Sequence, residues 1–181
     1  GKDSLIHEPI DFTTRNKLPL EAFHQQLRSV LFPLSVPVKQ RFDLTKDDYS
    51  FLYQYLSQFP GETNYPKYDT AQYYDSYVKF YFRDSTHNMP ENVRVFNKVG
   101  WAYGFLTDVS YVMDSKNKVE FMLAAVINVN TDGIYNDGVY AYDSVGFPFF
   151  RNLGNLIYQY ELTRDRKHAP DLSKFVFTYD R

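Results

Sequence analysis

Three kinds of short pattern in this sequence have residue types that could do chemistry. Ser76-Tyr-Val-Lys79 and Ser115-Lys-Asn-Lys118 each set a lysine three residues after a serine. On a helix that spacing lets the amine take the hydroxyl proton and make a nucleophile. On a strand it puts the two side chains on opposite faces. Ser76 opens a run that reads as a strand and Ser115 lies in one that reads as a hairpin turn, so both matches are rejected. His7, His24, His87 and His168 fall at no ligand spacing. Asn128 to Gly133, "NVNTDG", starts like a calcium loop, but it opens on Asn and has Val139 where the closing Glu would stand. Asp47/Asp48 and Asp132/Asp137 sit in helix-start and turn contexts where acids belong. Glycine-rich phosphate or dinucleotide loops are absent. These patterns imply no metal and no cofactor.

The third pattern is Lys98-Val99-Gly100, within "RVFNKVGWAYGFLTDVSYVMD". A lysine on a strand offers a cation for a carboxylate or a partner in proton transfer. A glycine lets a ligand backbone come close. A free strand edge can bond an extended peptide, and its amides can hold an oxyanion. The plainer reading makes Lys98 a solvent-facing strand residue and Gly100 a bulge.

The elements that must position these residues can be read from periodicity. Leu20, Phe23, Leu27, Val30 and Leu31 recur at helical spacing after Pro19, which suits a first turn. A second helix opens at Thr45, whose hydroxyl can cap free amides, with Asp47 and Asp48 favourable beside it. Its apolar stripe is Tyr49, Leu52, Tyr53, Leu56 and Phe59. "SYVKFYF" (76–82) alternates as a strand. Then "VRVFNKVGWAYG", "LTDVSYVMD" and "VEFMLAAVINV" are rich in β-branched and aromatic residues and read as an antiparallel meander. "GFPFFRNLGNLIYQYELTRD" closes the order as an amphipathic helix. The predicted fold is α+β: a three-strand meander plus an extra strand, packed with N-terminal helices and a C-terminal helix. It forms a single partial domain over 1–181, with an irregular lead-in at 1–18 and an extended tail at 166–181.

Net charge is −2 and the basic residues form no stripe, which argues against nucleic acid. No apolar run approaches the ~18 residues of a membrane span. With no cysteine, disulfides, thiol catalysis and Cys-ligated metals are excluded. The chain opens on Gly rather than Met, which reads as a processed or engineered start with an upstream part absent. Its 17 Tyr and 16 Phe are the unusual feature. Tyrosine packs its ring while its hydroxyl stays wet, so the excess fits either a Tyr-rich core or a face for peptide, sugar or protein.

"VFNKVGWAYGFLTDVSYV" resembles the Lys-Thr-Gly strand, turn and following strand of the penicillin-recognising serine hydrolases, the superfamily of class A β-lactamases and D-Ala-D-Ala peptidases. "DFTTRNKLPLEAFHQQLRSVLF" resembles the turn and helix after their Ω-loop. "KVEFMLAAVINVN" and "GFPFFRNLGNLIYQYE" resemble their last strand and C-terminal helix. The resemblance implies the C-terminal portion of such a domain, of an uncharacterised Tyr-rich, bacterial, extracytoplasmic (periplasmic or secreted) group. It implies that Lys98 supports a substrate carboxylate and the serine's proton network. Gly100 is then the motif glycine, and the Trp101 N–H serves an oxyanion hole. Val99 departs from the pattern, since family Thr or Ser donates a hydroxyl there; that bond is worth about 1.5–3 kcal/mol. The nucleophile helix, the Ser-Asp-Asn loop and the Ω-loop glutamate have no counterpart. The chain alone is therefore expected to be inactive, with a peptide- or β-lactam-like ligand as its partner. The alternatives are a non-enzymatic Tyr-rich binding module for peptidoglycan, glycan or protein, and self-association through an exposed sheet edge.

Overall fold

A computed structural model describes residues 8, 11, 13, 14, 17–84 and 86–179. Most of the predicted lead-in at 1–18 lies outside these residues. Helix α1, Leu20–Leu31, begins after Pro19. Helix α2, Lys46–Ser57, begins with a capping box. There the Thr45 hydroxyl accepts the Asp48 N–H at 3.2 Å, and the Asp48 carboxylate accepts the Thr45 N–H at 2.8 Å. Strands β1 (Val93–Ala102), β2 (Phe105–Asp114) and β3 (Val119–Asn128) form an antiparallel sheet in the order β1-β2-β3. Helix α3, Phe147–Thr163, follows a π-helical turn at Tyr142–Gly146. The molecule is α+β, with three helices on a three-strand sheet.

The β1–β2 turn is two residues long, Tyr103 and Gly104, both at positive φ, as the tightest hairpins require. Asn130 backs onto Gly104 so closely that a Cβ there would lie 2.5 Å from the Asn130 side chain. Alternation along the strands divides the core in two. Val93, Val95, Leu106, Val112 and Ala125 face α3 and the aromatic run Phe80, Tyr81 and Phe82. Phe96, Val109, Tyr111 and Met113 face α1, α2 and the tail residues Leu172 and Phe175. The tail at 164–179 is irregular apart from a 3₁₀ turn at Ser173–Phe175. Burying Phe175 there contributes about 1.5–3 kcal/mol toward holding the tail on the core.

The extra strand predicted at 76–82 does not form. Residues 75–78 are a turn and Phe80–Phe82 a 3₁₀ helix. The reason is that every side chain from Lys79 to Phe82 is buried, which a strand with one outward face cannot achieve. Phe80 packs edge-on to Phe147, Tyr81 lies against Phe150, and Phe82 meets Tyr158. Gly154 of α3 makes room for this run: a Cβ would stand 2.3 Å from the Tyr81 carbonyl oxygen.

Both outer edges of the sheet lack a strand partner among the described residues. The Ser115 N–H donates to the Asn92 carbonyl, and antiparallel bonds alternate. Val95, Asn97, Val99 and Trp101 therefore turn their amides and carbonyls outward from β1. By the same alternation, with the Val129 N–H on the Gly104 carbonyl, residues 120, 122, 124, 126 and 128 turn theirs outward from β3.

Candidate functional site

Lys98 lies on β1 on the α1/α2 face and is exposed. Its amine curls to the strand's outer edge and donates to the Val99 carbonyl at 2.8 Å. Gly100 is not strained; a Cβ there would meet only Thr107, at 3.6 Å. Val99 and Trp101 share the opposite face, where Val99 packs against the α3 core and Trp101 remains 39% exposed. The outward-facing Val99 N–H and the Trp101 N–H and C=O have no partner among the described residues. The strand thus offers one free edge with Lys98 on one side and Trp101 on the other.

Beside Trp101 sits a residue that sequence reasoning missed. The half-buried Arg83 guanidinium lies 3.6 Å from the Phe147 ring centre, 5.0 Å from Tyr77 and 5.2 Å from Trp101. It donates to the Tyr77 carbonyl at 2.8 Å. Among the described residues no carboxylate lies within 4 Å of it. Burial lowers its pKa, while Tyr74, Tyr77 and Asp143 act against that. An arginine held by rings instead of a carboxylate keeps its fork available to an anion. A cavity of about 260 Å³ opens here, lined by Arg83 and Arg151 with Asp84 and Asp143 beside them, and by Tyr74 and Phe147 among its rings.

Behind this edge is a buried polar cluster. The Lys79 ammonium donates to the Leu56 carbonyl (2.8 Å), the Val95 carbonyl (2.9 Å) and Asn97 Oδ1 (2.8 Å). Asn97 Nδ2 donates to Asp108 Oδ1 at 3.0 Å, which also accepts the Ser110 hydroxyl at 2.7 Å. Asp108 Oδ2 accepts the Phe80 N–H at 3.1 Å. All of the lysine's partners are acceptors and all of the aspartate's are donors, the pattern of two charged groups bridged by an amide. Burial pushes Lys79 down to about 7 and Asp108 up to about 7, each opposed by the other's charge. A lone cation in "SYVKFYF" and an aspartate set among apolar residues in "FLTDVSYV" were the signal for this pairing.

Ser76 is fully buried and its hydroxyl has no partner. It is not bonded to Lys79, and neither group reaches solvent, so Ser76-x-x-Lys79 is not a nucleophile pair. Ser115 donates to the Asn92 carbonyl at 3.3 Å and belongs to a hairpin turn. In "NVNTDG" the Asn128 and Asn130 side-chain oxygens accept the Asn130 and Gly133 amides, so they cap their own turn. Asp132 and Asp137 do the same for Ile134 and Val139. Among the described residues no three His, Asp or Glu side chains gather as a metal site. No described helix is long and apolar enough to cross a membrane.

A second cavity, about 390 Å³, lies between the end of α2 and the 63–78 loop. Tyr55, Tyr65, Tyr68, Tyr73 and Tyr77 line it, and its lining contains no charged residue. Rings run on from it toward the sheet edge: Tyr68 to Tyr73 at 5.4 Å, Tyr73 to Tyr77 at 5.2 Å and Tyr77 to Trp101 at 6.1 Å. No protein-family model matches this chain, and no curated protein or solved structure matches it either.

Proposed function

We propose that this chain is the C-terminal part of a β-lactamase-like serine hydrolase, forming one wall of a substrate cleft and carrying no nucleophile of its own. The observation that carries the reading is the free outer edge of β1 at Val99 and Trp101. There unpartnered amides can bind a peptide-like ligand and polarise its carbonyl. Lys98 flanks the edge on one side. On the other, Arg83 supplies a cation for a ligand carboxylate where Val99 has no hydroxyl to give. Under this reading the outer edge of β3 takes a further strand, from the rest of the domain or from a second copy. An extracytoplasmic location goes with the resemblance.

The test is labelling by a fluorescent penicillin or fluorophosphonate. The 181-residue chain stays unlabelled, whereas a longer polypeptide with a Ser-x-x-Lys helix ahead of residue 1 is labelled at that serine. Labelling of a serine within this chain, or an open reading frame with no such helix, would overturn the proposal. A second reading, a non-enzymatic binding module, is favoured by the uncharged tyrosine groove.

A further inference from the structure

We infer that the groove between α2 and the 63–78 loop is a binding site for a neutral pyranose sugar. The inference rests on the binding-module reading and is independent of the hydrolase reading. Three observations lead to it.

First, the groove is built from ring faces and carries no charge. Tyr65 is 93% exposed, Tyr55 56% and Tyr68 40%, so three large amphipathic side chains stand in water around a cavity of about 390 Å³. That volume is in the range of small-ligand sites. A charged ligand would be desolvated there with nothing to pair it.

Second, the hydroxyls of Tyr55, Tyr65, Tyr68, Tyr73 and Tyr77 make no hydrogen bond to the protein among the described residues. Buried and half-buried tyrosines elsewhere do: Tyr53 bonds the Val30 carbonyl, Tyr81 the Asp108 carbonyl and Tyr158 the Asp114 carboxylate. The groove phenols are thus free both to donate and to accept.

Third, that pairing of properties selects the ligand. A sugar ring has one face of C–H groups to lay on a tyrosine ring and a rim of hydroxyls that donate and accept. A proline-rich peptide also fits ring-lined grooves, but its prolines have no N–H and would use the phenols only as donors. The ring row through Tyr73 and Tyr77 ends at Trp101, so a bound sugar chain would extend toward the β1 edge.

The experiment uses Trp101, the single tryptophan, as a fluorescence reporter. Backbone amide NMR shifts give the location. The probes are cellotriose, maltotriose and triacetylchitotriose, with a proline-rich decapeptide as the rival. At least one trisaccharide is expected to shift residues 55–78 saturably. Tyr65→Ala and Tyr68→Ala, both at exposed positions, should each weaken it about three- to tenfold. Binding of the decapeptide alone would overturn the sugar inference and leave a binding module standing. No shift by either probe class at about 10 mM (roughly ten-thousandfold weaker than a micromolar site) would end both. Binding unchanged in the two tyrosine variants would also overturn it. None of these outcomes bears on the acylation test.

Discussion

Replacing Lys79 by Met removes the ammonium and keeps most of the stem's volume. Three acceptors then lose their donor: the Leu56 carbonyl, the Val95 carbonyl and Asn97 Oδ1. Asp108, fully buried, becomes a charge without its counterion. Breaking a buried pair in this way costs about 3–5 kcal/mol, a large share of the roughly 5–15 kcal/mol that holds a domain together. With a urea slope of about 2 kcal/mol/M, the midpoint should fall by about 2 M. Asp108→Asn should cost a similar amount, because Lys79 is then the uncompensated charge. The double variant has no buried charge left, so its loss should undershoot the sum of the singles by about 2 kcal/mol. Urea melts of the four proteins, at one pH and with equal slopes, give the coupling directly. A Lys79→Met cost below about 1 kcal/mol, or singles that add to within about 0.5 kcal/mol, would refute a coupled pair bridged by Asn97.

The same pair sets a pH dependence. Lys79 is held at about 7 against an ordinary 10.5, so between those values the unfolded chain holds a proton that the folded chain lacks, and stability rises with pH. Asp108 is held at about 7 against 3.8, so between those values the folded chain holds the extra proton, and stability falls as pH rises. Their joint contribution is lowest near neutrality, and that dip should disappear from melts of the double variant. Two glycines should separate packing from ligand approach. Gly154→Ala drives a Cβ to 2.3 Å from the Tyr81 carbonyl oxygen and should cost about 1–3 kcal/mol. Gly100→Ala meets only Thr107 at 3.6 Å, and its thermal midpoint should stay within about 2 °C of the parent.

Local rules made most of the fold legible. Thr45 and Asp48 announced the start of α2, and β-branched and aromatic runs with short turns between them announced all three strands. The failure at 76–82 is instructive. Ser76, Lys79 and the aromatics after it alternate in type, but the segment is wrapped between α3 and the sheet, and burial on every side overrides alternation. The candidate site was legible only along the chain. The Lys98–Gly100 edge could be named because its residues are consecutive. Arg83 follows the predicted strand at 76–82 and belongs to no motif, and its ring partners come from residues 77, 101 and 147. The tyrosine groove had only a composition signal, since nothing in the order of residues says which rings will face one another.

The β3 edge bears on how this polypeptide behaves in a tube. Its five outward positions are Glu120, Met122, Ala124, Val126 and Asn128, with one charge among them and no proline to blunt them. Strands with such a margin act as templates for further growth. Where that edge stays uncovered, further strands are expected to add at high concentration without any unfolding, and light scattering that stays flat as concentration rises would rule this out.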